Sequence, residues 1–266
     1  MQKNRYAGIR WLSLLLALFM WQCAGFHRQA PFRFDNNVAS RNILVDSTTS
    51  ANPDMEALIS PYRQKLNKVM GKIVGHAAVD LYRGKPEAPL NNFVADLMLR
   101  RANREFPETV HVAITNVGGL RTNIPAGPIT LGKIYEVMPF ENELVILEMT
   151  GSQLITLGKQ IGEVHGECIA GMQLEFTGER LTRIRVQGQK VNPEKIYRVV
   201  TTDYLSSPGR RKLKILGEVP RKFLGIKLRD AILDEVKAWE ARGEPITAKV
   251  EGRIVFKEST SAGNGR

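Results

Sequence analysis

From Pro53 onward, short apolar runs alternate with segments of helical period, and the spacing between them is irregular. A parallel, doubly wound sheet needs a helical crossover between successive strands. Here several runs are parted only by a turn, so the chain reads as a mixed α+β domain with largely antiparallel sheets over residues 53–258. Pro53 opens a helix in which Met55, Leu58, Ile59, Tyr62, Leu66, Val69 and Met70 recur at helical steps until Gly71. Ile73 to Leu81 alternates as a strand. A second helix carries Phe93, Val94, Leu97, Met98 and Ala102 on one face, with Asn91 or Asn92 as N-cap and Pro107 at its end. Ile129 to Val137 reads as a short helix capped by Thr130, Leu144 to Met149 as a strand, and Ser152 to Ile161 as a helix. A strand follows from Glu167 to Phe176. Leu181 to Val186 and Ile196 to Thr201 read as a hairpin joined through Gly188 and Pro193. A long helix from Ile226 to Trp239 and a strand from Val250 to Phe256 close the domain.

One stretch invites a ligand. The apolar run Val110-His111-Val112-Ala113-Ile114 stops at Thr115 and Asn116-Val117-Gly118-Gly119-Leu120-Arg121, and the segment closes with Met138-Pro139-Phe140-Glu141-Asn142. Glycines allow backbone conformations closed to other residues and let main-chain N–H groups approach a bound group. Asn116 offers both donor and acceptor, and Arg121 a cationic fork. The same spacing also describes a plain strand-to-loop turn with a solvated arginine, because short glycine motifs match by chance.

The first residues carry Lys3, Arg5 and Arg10, then an apolar run from Trp11 to Trp21. That run is shorter than the ~18 residues that a membrane-spanning helix requires. Residues 1–25 therefore read as an export signal, cleaved after Ala24-Gly25 or before Cys23 with a lipid on that cysteine. The bulky Met20-Trp21-Gln22 fits a lipoprotein signal poorly. Residues 26–52 read as a linker and 259–266 as a flexible tail, and the mature protein is expected in the periplasm or anchored in the bacterial envelope through Cys23.

The net charge of +11 raises the question of nucleic acid. Its cations are scattered, as at Arg100-Arg101, Arg180 to Lys190 and Arg210 to Lys214, and no nucleic-acid motif accompanies them. An anionic small molecule or an acidic partner suits the charge better, and no nucleic-acid partner is expected. Cys23 and Cys168 are too sparse for a disulfide framework, and His27, His76, His111 and His165 show no metal-ligand spacing.

Five motifs in order carry a family likeness: Asn91-Asn92-Phe93-Val94-Ala95-Asp96-Leu97, Asn116 to Arg121, Met138-Pro139-Phe140, Tyr197 to Leu205, and Glu251-Gly252-Arg253-Ile254. Together they resemble the C-terminal domain of the 5′-nucleotidase and UDP-sugar hydrolase family. In that family this domain binds the nucleoside part of the substrate, while an N-terminal metallophosphoesterase domain holds two metal ions and cleaves the phosphate ester. The resemblance implies a substrate-binding set of Asn116, Gly118, Gly119, Arg121, Phe140, Asn142, Tyr204 and Arg210. Phe140 and Tyr204 match the two aromatics that sandwich the base. Three departures stand out: Val117 replaces a glycine, Lys85-Pro86 stands in the region where an arginine is expected before Asn92, and the loop whose Asp holds the ribose hydroxyls reads Ser207-Pro208-Gly209-Arg210. That last change either retunes the site toward a more anionic ligand or marks the loss of nucleoside binding.

The sequence shows none of the His- and Asp-containing loops of a two-metal phosphoesterase. No catalytic residue, metal ligand or cofactor is therefore assigned to this chain, and divalent metals are expected on a separate metallophosphoesterase subunit. Two functions follow: the substrate-recognition half of a split nucleotidase in nucleotide catabolism, or a stand-alone envelope module that binds a nucleotide-like anion without catalysis.

Overall fold

A computed structural model describes residue 46 and residues 49–258. The leader with Cys23, the tail and nearly all of the linker lie outside the described residues. From Pro53 the order is α1 (Pro53–Met70), β1 (Ile73–Ala77), α2 (Pro89–Glu105), β2 (Val112–Thr115), a 3-10 turn (Val117–Gly119), β3 (Gly127–Thr130), α3 (Leu131–Val137) and β4 (Glu143–Thr150). Then come α4 (Gly151–Glu163), β5 (Cys168–Ala170), β6 (Met172–Thr177), β7 (Arg180–Val186), β8 (Gln189–Lys190) and β9 (Ile196–Thr202). A second 3-10 turn (Lys214–Glu218), β10 (Arg221–Lys227), α5 (Leu228–Ala241) and β11 (Ile254–Lys257) complete the domain, which has the mixed α+β architecture expected.

The central sheet has five strands in the order β10-β4-β9-β2-β5, parallel only between β9 and β2. A four-stranded sheet, β11-β6-β7-β8, is antiparallel except where β11 runs beside β6. Strands β1 and β3 pair separately. The central sheet is covered on both faces. Ala113, Leu144, Ile146, Cys168, Ala170 and Val200 enter one core with α2, α3 and α5. Val112, Ile114, Val145, Leu147, Ile169 and Val199 enter the other with α4 and β6. An antiparallel strand alternates polar and apolar residues when one face is wet. Leu144-Val145-Ile146-Leu147 has no such alternation because neither face is.

The same rule corrects the expected hairpin. Strand β7 pairs with β6 and β8, whereas β9 lies in the central sheet between β4 and β2. Val199 and Val200 are both buried, which demands an interior position; Arg183 and Arg185 leave β7 half wet. The expected helix from Ile226 starts instead at Leu228, because residues 221–227 form the edge strand β10. Gly225, at φ +69°, sits in the left-handed region, a conformation no α-helix interior contains.

Asn91 and Asn92 are not caps. Helix α2 begins at Pro89, whose missing N–H is no loss in a first turn. Both asparagines are buried one turn in. Asn91 brackets Gly84, accepting from its N–H at 3.3 Å and donating to its carbonyl at 2.6 Å. Asn92 donates to Glu87 Oε1 at 2.6 Å and to the Lys249 carbonyl at 2.8 Å. Glu87 accepts in turn from the N–H groups of Glu251 and Arg253, each at 2.7 Å. The Arg253 fork, 9% exposed, donates to both oxygens of Asp96 and to the Ile169 carbonyl, all at 2.8 Å. This network clasps the start of α2 to the chain's last described turn and to β5.

Candidate functional site

Strand directions bring distant segments to one end of the central sheet. Strands β2 and β9 run parallel (Val112 beside Val199), β4 runs against β9 (Leu144 beside Thr202), and β5 against β2 (Thr115 beside Cys168). The ends of β2 and β9 therefore meet the starts of β4 and β5. From that end project the turn 116–121, the segment 138–142, the loop 203–210 and Glu167. All eight residues singled out in the sequence lie on these segments: Asn116, Gly118, Gly119, Arg121, Phe140, Asn142, Tyr204 and Arg210.

The turn is tight. Gly119 N–H donates to the Asn116 carbonyl at 3.0 Å, Leu120 N–H to Val117 at 3.1 Å, and Arg121 N–H to Val137 at 2.8 Å. Neither Gly118 nor Gly119 has a positive φ, so conformational freedom is not their use. A Cβ on Gly119 would lie 3.3 Å from Asn116 Oδ1, and one on Gly118 3.4 Å from its Nδ2. The glycines make room for the carboxamide that folds over them. Asn116 Oδ1 is buried without a hydrogen-bond partner, and the exposed Gly118 keeps an N–H that no group among the described residues accepts. Val117 has no positive φ and buries its side chain in the core.

Glu167, which sequence reasoning passed over, underlies the turn. Its side chain is 8% exposed, and Oε2 accepts the Val117 N–H at 2.6 Å. Burial pushes its pKa up, while the Val117 N–H and Lys85, whose Nζ stands 3.5 Å away, pull the other way. Its sequence signal was slight: one acid immediately before the fully buried Cys168-Ile169-Ala170. The same burial raises the Cys168 thiol pKa well above its usual value, leaving it a packing residue. Two arginines lean on the turn. Arg83 Nη1 reaches the Val117 carbonyl at 3.4 Å, and Arg121 Nη1 reaches the next carbonyl, Gly118, at 3.3 Å.

The two aromatics stand on loops laced together by Asp203 and Glu143. Asp203 N–H donates to the Glu143 carbonyl at 2.9 Å, and Asp203 Oδ1 accepts from Glu143 N–H at 3.1 Å and Tyr204 N–H at 2.7 Å. Phe140 is 42% and Tyr204 45% exposed, so both rings present apolar faces to solvent. Arg229, at the start of α5, holds the Phe140 segment. Its guanidinium donates to the carbonyls of Pro139 at 3.2 Å and Phe140 at 3.4 Å, pairs with Glu141, and lies 4.4 Å from the centroid of Tyr135. Hydrogen bonds from Lys227 and Arg229 hold the Glu141 carboxyl down at about 2. Asn142 carbonyl accepts from Leu228 N–H at 2.9 Å, a second tie to α5. Arg210 lies over Tyr204, its guanidinium carbon 3.8 Å from the ring centroid.

The arrangement is an open shelf of two aromatic rings, a carboxamide, a free backbone N–H and arginine forks. It can stack a planar ligand and grip an anion. A cleft of about 780 Å³ between α2 and α5, at Leu99, Arg100, Glu235 and Trp239, contains none of these residues. Among the described residues no group of three or more His, Cys, Asp or Glu side chains is placed to hold a metal ion.

Comparison with known proteins agrees with this shape. The family model described as 5′-nucleotidase, C-terminal domain, matches residues 73–218. The trifunctional nucleotide phosphoesterase protein YfkN of Bacillus subtilis is 30% identical over 231 residues, covering 79% of this chain and 16% of its own. Protein UshA of Yersinia enterocolitica is 25% identical over 236 residues, covering 82% and 40%. Among solved structures, the 5′-nucleotidase precursor of Thermus thermophilus superposes with a TM-score of 0.66 at 27% identity, covering 76% of this chain and 43% of that one. The chain thus spans less than half the length of each of these relatives.

Proposed function

The chain belongs to the 5′-nucleotidase C-terminal domain family, and from that premise we propose that it is the substrate-recognition half of a 5′-nucleotidase-type phosphohydrolase. The observation that carries this reading is the convergence of the 116–121 turn with two half-exposed aromatics at one end of the central sheet. Phe140 and the face of Tyr204 that Arg210 does not cover stack the base, and any base suits them because every base has a π face. Asn116 folds its carboxamide over the turn, and the exposed Gly118 offers the ligand a backbone N–H. Arg121 supplies a fork for phosphate. Asn142 and the turn glycines shape the shelf.

In this reading hydrolysis belongs to a metallophosphoesterase partner that carries the divalent metals; among the described residues no group of three or more His, Cys, Asp or Glu side chains is placed to hold one. Export of this chain, by the signal at 1–25 and with or without a lipid on Cys23, would place the pair in the bacterial envelope. Calorimetry of adenosine and AMP against Phe140→Ala and Arg121→Ala tests the site. A lost stacking face is worth about 1–3 kcal/mol, a weakening on the order of ten- to a hundredfold. Unchanged titrations would refute the assignment. Phosphate release from AMP with manganese is then measured for the chain alone and mixed with an exported metallophosphoesterase from the same genome. Release by the chain alone would overturn the split reading, and no gain on mixing would favour the stand-alone binding module.

A further inference from the structure

The resemblance implies an acid in the loop after β9, where this chain has Arg210, and its surroundings say what that cation is for. Arg210 is stacked 3.8 Å from the centroid of Tyr204, so its charge sits beside the proposed base platform. Among the described residues it has no carboxylate partner and no hydrogen bond, and its Nε is buried and unsatisfied. By contrast, Arg100, Arg101, Arg183, Arg198, Arg229 and Arg253 are each paired with an acid.

The neighbours do not compensate it. Arg83 and Arg121 rest only on the carbonyls of Val117 and Gly118. Lys212 is close enough for its charge to act on Glu167. The acids at this end are committed elsewhere: Glu167 is buried beneath the turn on the Val117 N–H, and Asp203 Oδ1 is held by the N–H groups of Glu143 and Tyr204. A guanidinium can only donate, and its fork matches phosphate far better than it matches a neutral diol.

We infer that the site selects a nucleotide whose ribose carries an anionic group of its own, a nucleoside bisphosphate in class, with Arg210 as the residue that reads it. The inference rests on the nucleotide reading above and names its substrate class. Arg210 is a specificity residue: stacking on Tyr204 fixes the height of the fork relative to the bound base, and its terminal nitrogens, with no partner among the described residues, are left for the ribose phosphate. Arg121 and Arg83 remain for the other phosphate.

The test is calorimetry on the full chain with adenosine, AMP, adenosine 3′,5′-bisphosphate and inorganic pyrophosphate, at low and at physiological salt. The bisphosphate is expected to bind about tenfold or more tighter than AMP, an advantage that shrinks with salt. Arg210→Asp is expected to abolish the bisphosphate's advantage and to strengthen adenosine. Arg180→Asp, the same change of charge on β7 in the other sheet, is expected to keep the wild-type order. Equal binding of AMP and bisphosphate by the wild type, or an unchanged preference in Arg210→Asp, overturns this inference while leaving the nucleotide reading intact. Pyrophosphate binding as tight as the bisphosphate also overturns it, because the anion would then be read without its nucleoside. Absence of binding by adenosine, AMP and bisphosphate alike defeats the nucleotide reading and this inference with it.

Discussion

Replacing Arg253 by Lys separates structure from ligand recognition in a motif, Glu251-Gly252-Arg253, that could be taken for either. The charge survives the change, but the planar fork does not. A lysine can keep one contact to Asp96, and it loses the second and the bond to the Ile169 carbonyl. Ile169 is 1% exposed, and a buried carbonyl left without its donor costs about 1–3 kcal/mol. The lost bond to Asp96 adds about 1 kcal/mol, reduced from the usual charged-group value because that carboxylate is 36% exposed. The sum is about 2–4 kcal/mol, a large share of the roughly 5–15 kcal/mol that stabilises a domain. With a urea m-value of about 2 kcal/mol per molar, the midpoint should fall by about 1–2 M at unchanged m. Adenosine affinity, measured on folded protein, should not move. A midpoint shift under about 0.3 M, or a weakened ligand with unchanged stability, would refute the clasp.

Further outcomes follow from the same geometry. Arg229→Met frees the carbonyls of Pro139 and Phe140, so nucleoside affinity, measured by calorimetry, should fall about as far as in Phe140→Ala; an unchanged affinity would show that the segment holds itself. Gly151→Ala drives a Cβ to 1.9 Å from the Asn192 carbonyl, and thermal melting should show a loss of about 2 kcal/mol or more. Burial keeps His111 neutral, its pKa below 6.5, and its Nδ1 accepts from Arg198 N–H at 3.1 Å. Its contribution is present above pH 6.5 and lost as pH falls through the lower folded value. Urea midpoints of the wild type should therefore drop in that acid range more than those of His111→Gln, and parallel curves would contradict the assignment.

Much of the domain was legible where local chemistry and tertiary role agree. Thr130 caps α3, accepting from Lys133 N–H at 3.1 Å as its position suggested, and the apolar runs at 112–115 and 144–149 are strands of the central sheet. The rest depended on partners far away in sequence. Strand β10 was hidden because Phe223 is exposed on an edge and its residues run into α5. The β7 to β9 hairpin was inferred from proximity, yet pairing was decided by how many faces each strand buries. At the candidate site the sequence pointed to residues on the turn and loops that meet at one end of the central sheet. It did not point to those that hold them, Glu167, Asp203 and Arg229, because a supporting acid or arginine looks like any surface charge until its partner is in place.

Strand β11 has a consequence for the order in which the chain can fold. It adds to β6 in parallel, and Arg253 reaches Asp96 across 157 residues. Closing a loop of that length costs on the order of 4–5 kcal/mol in chain entropy before any contact repays it. Helix α2 can form early, but the clasp on it waits for residues 249–253, so the domain's last stabilising step belongs to its last-made segment. A nascent chain therefore keeps this clasp open until residues 249–257 have been made, and if the leader directs export, that open chain is the form a translocation pore can accept.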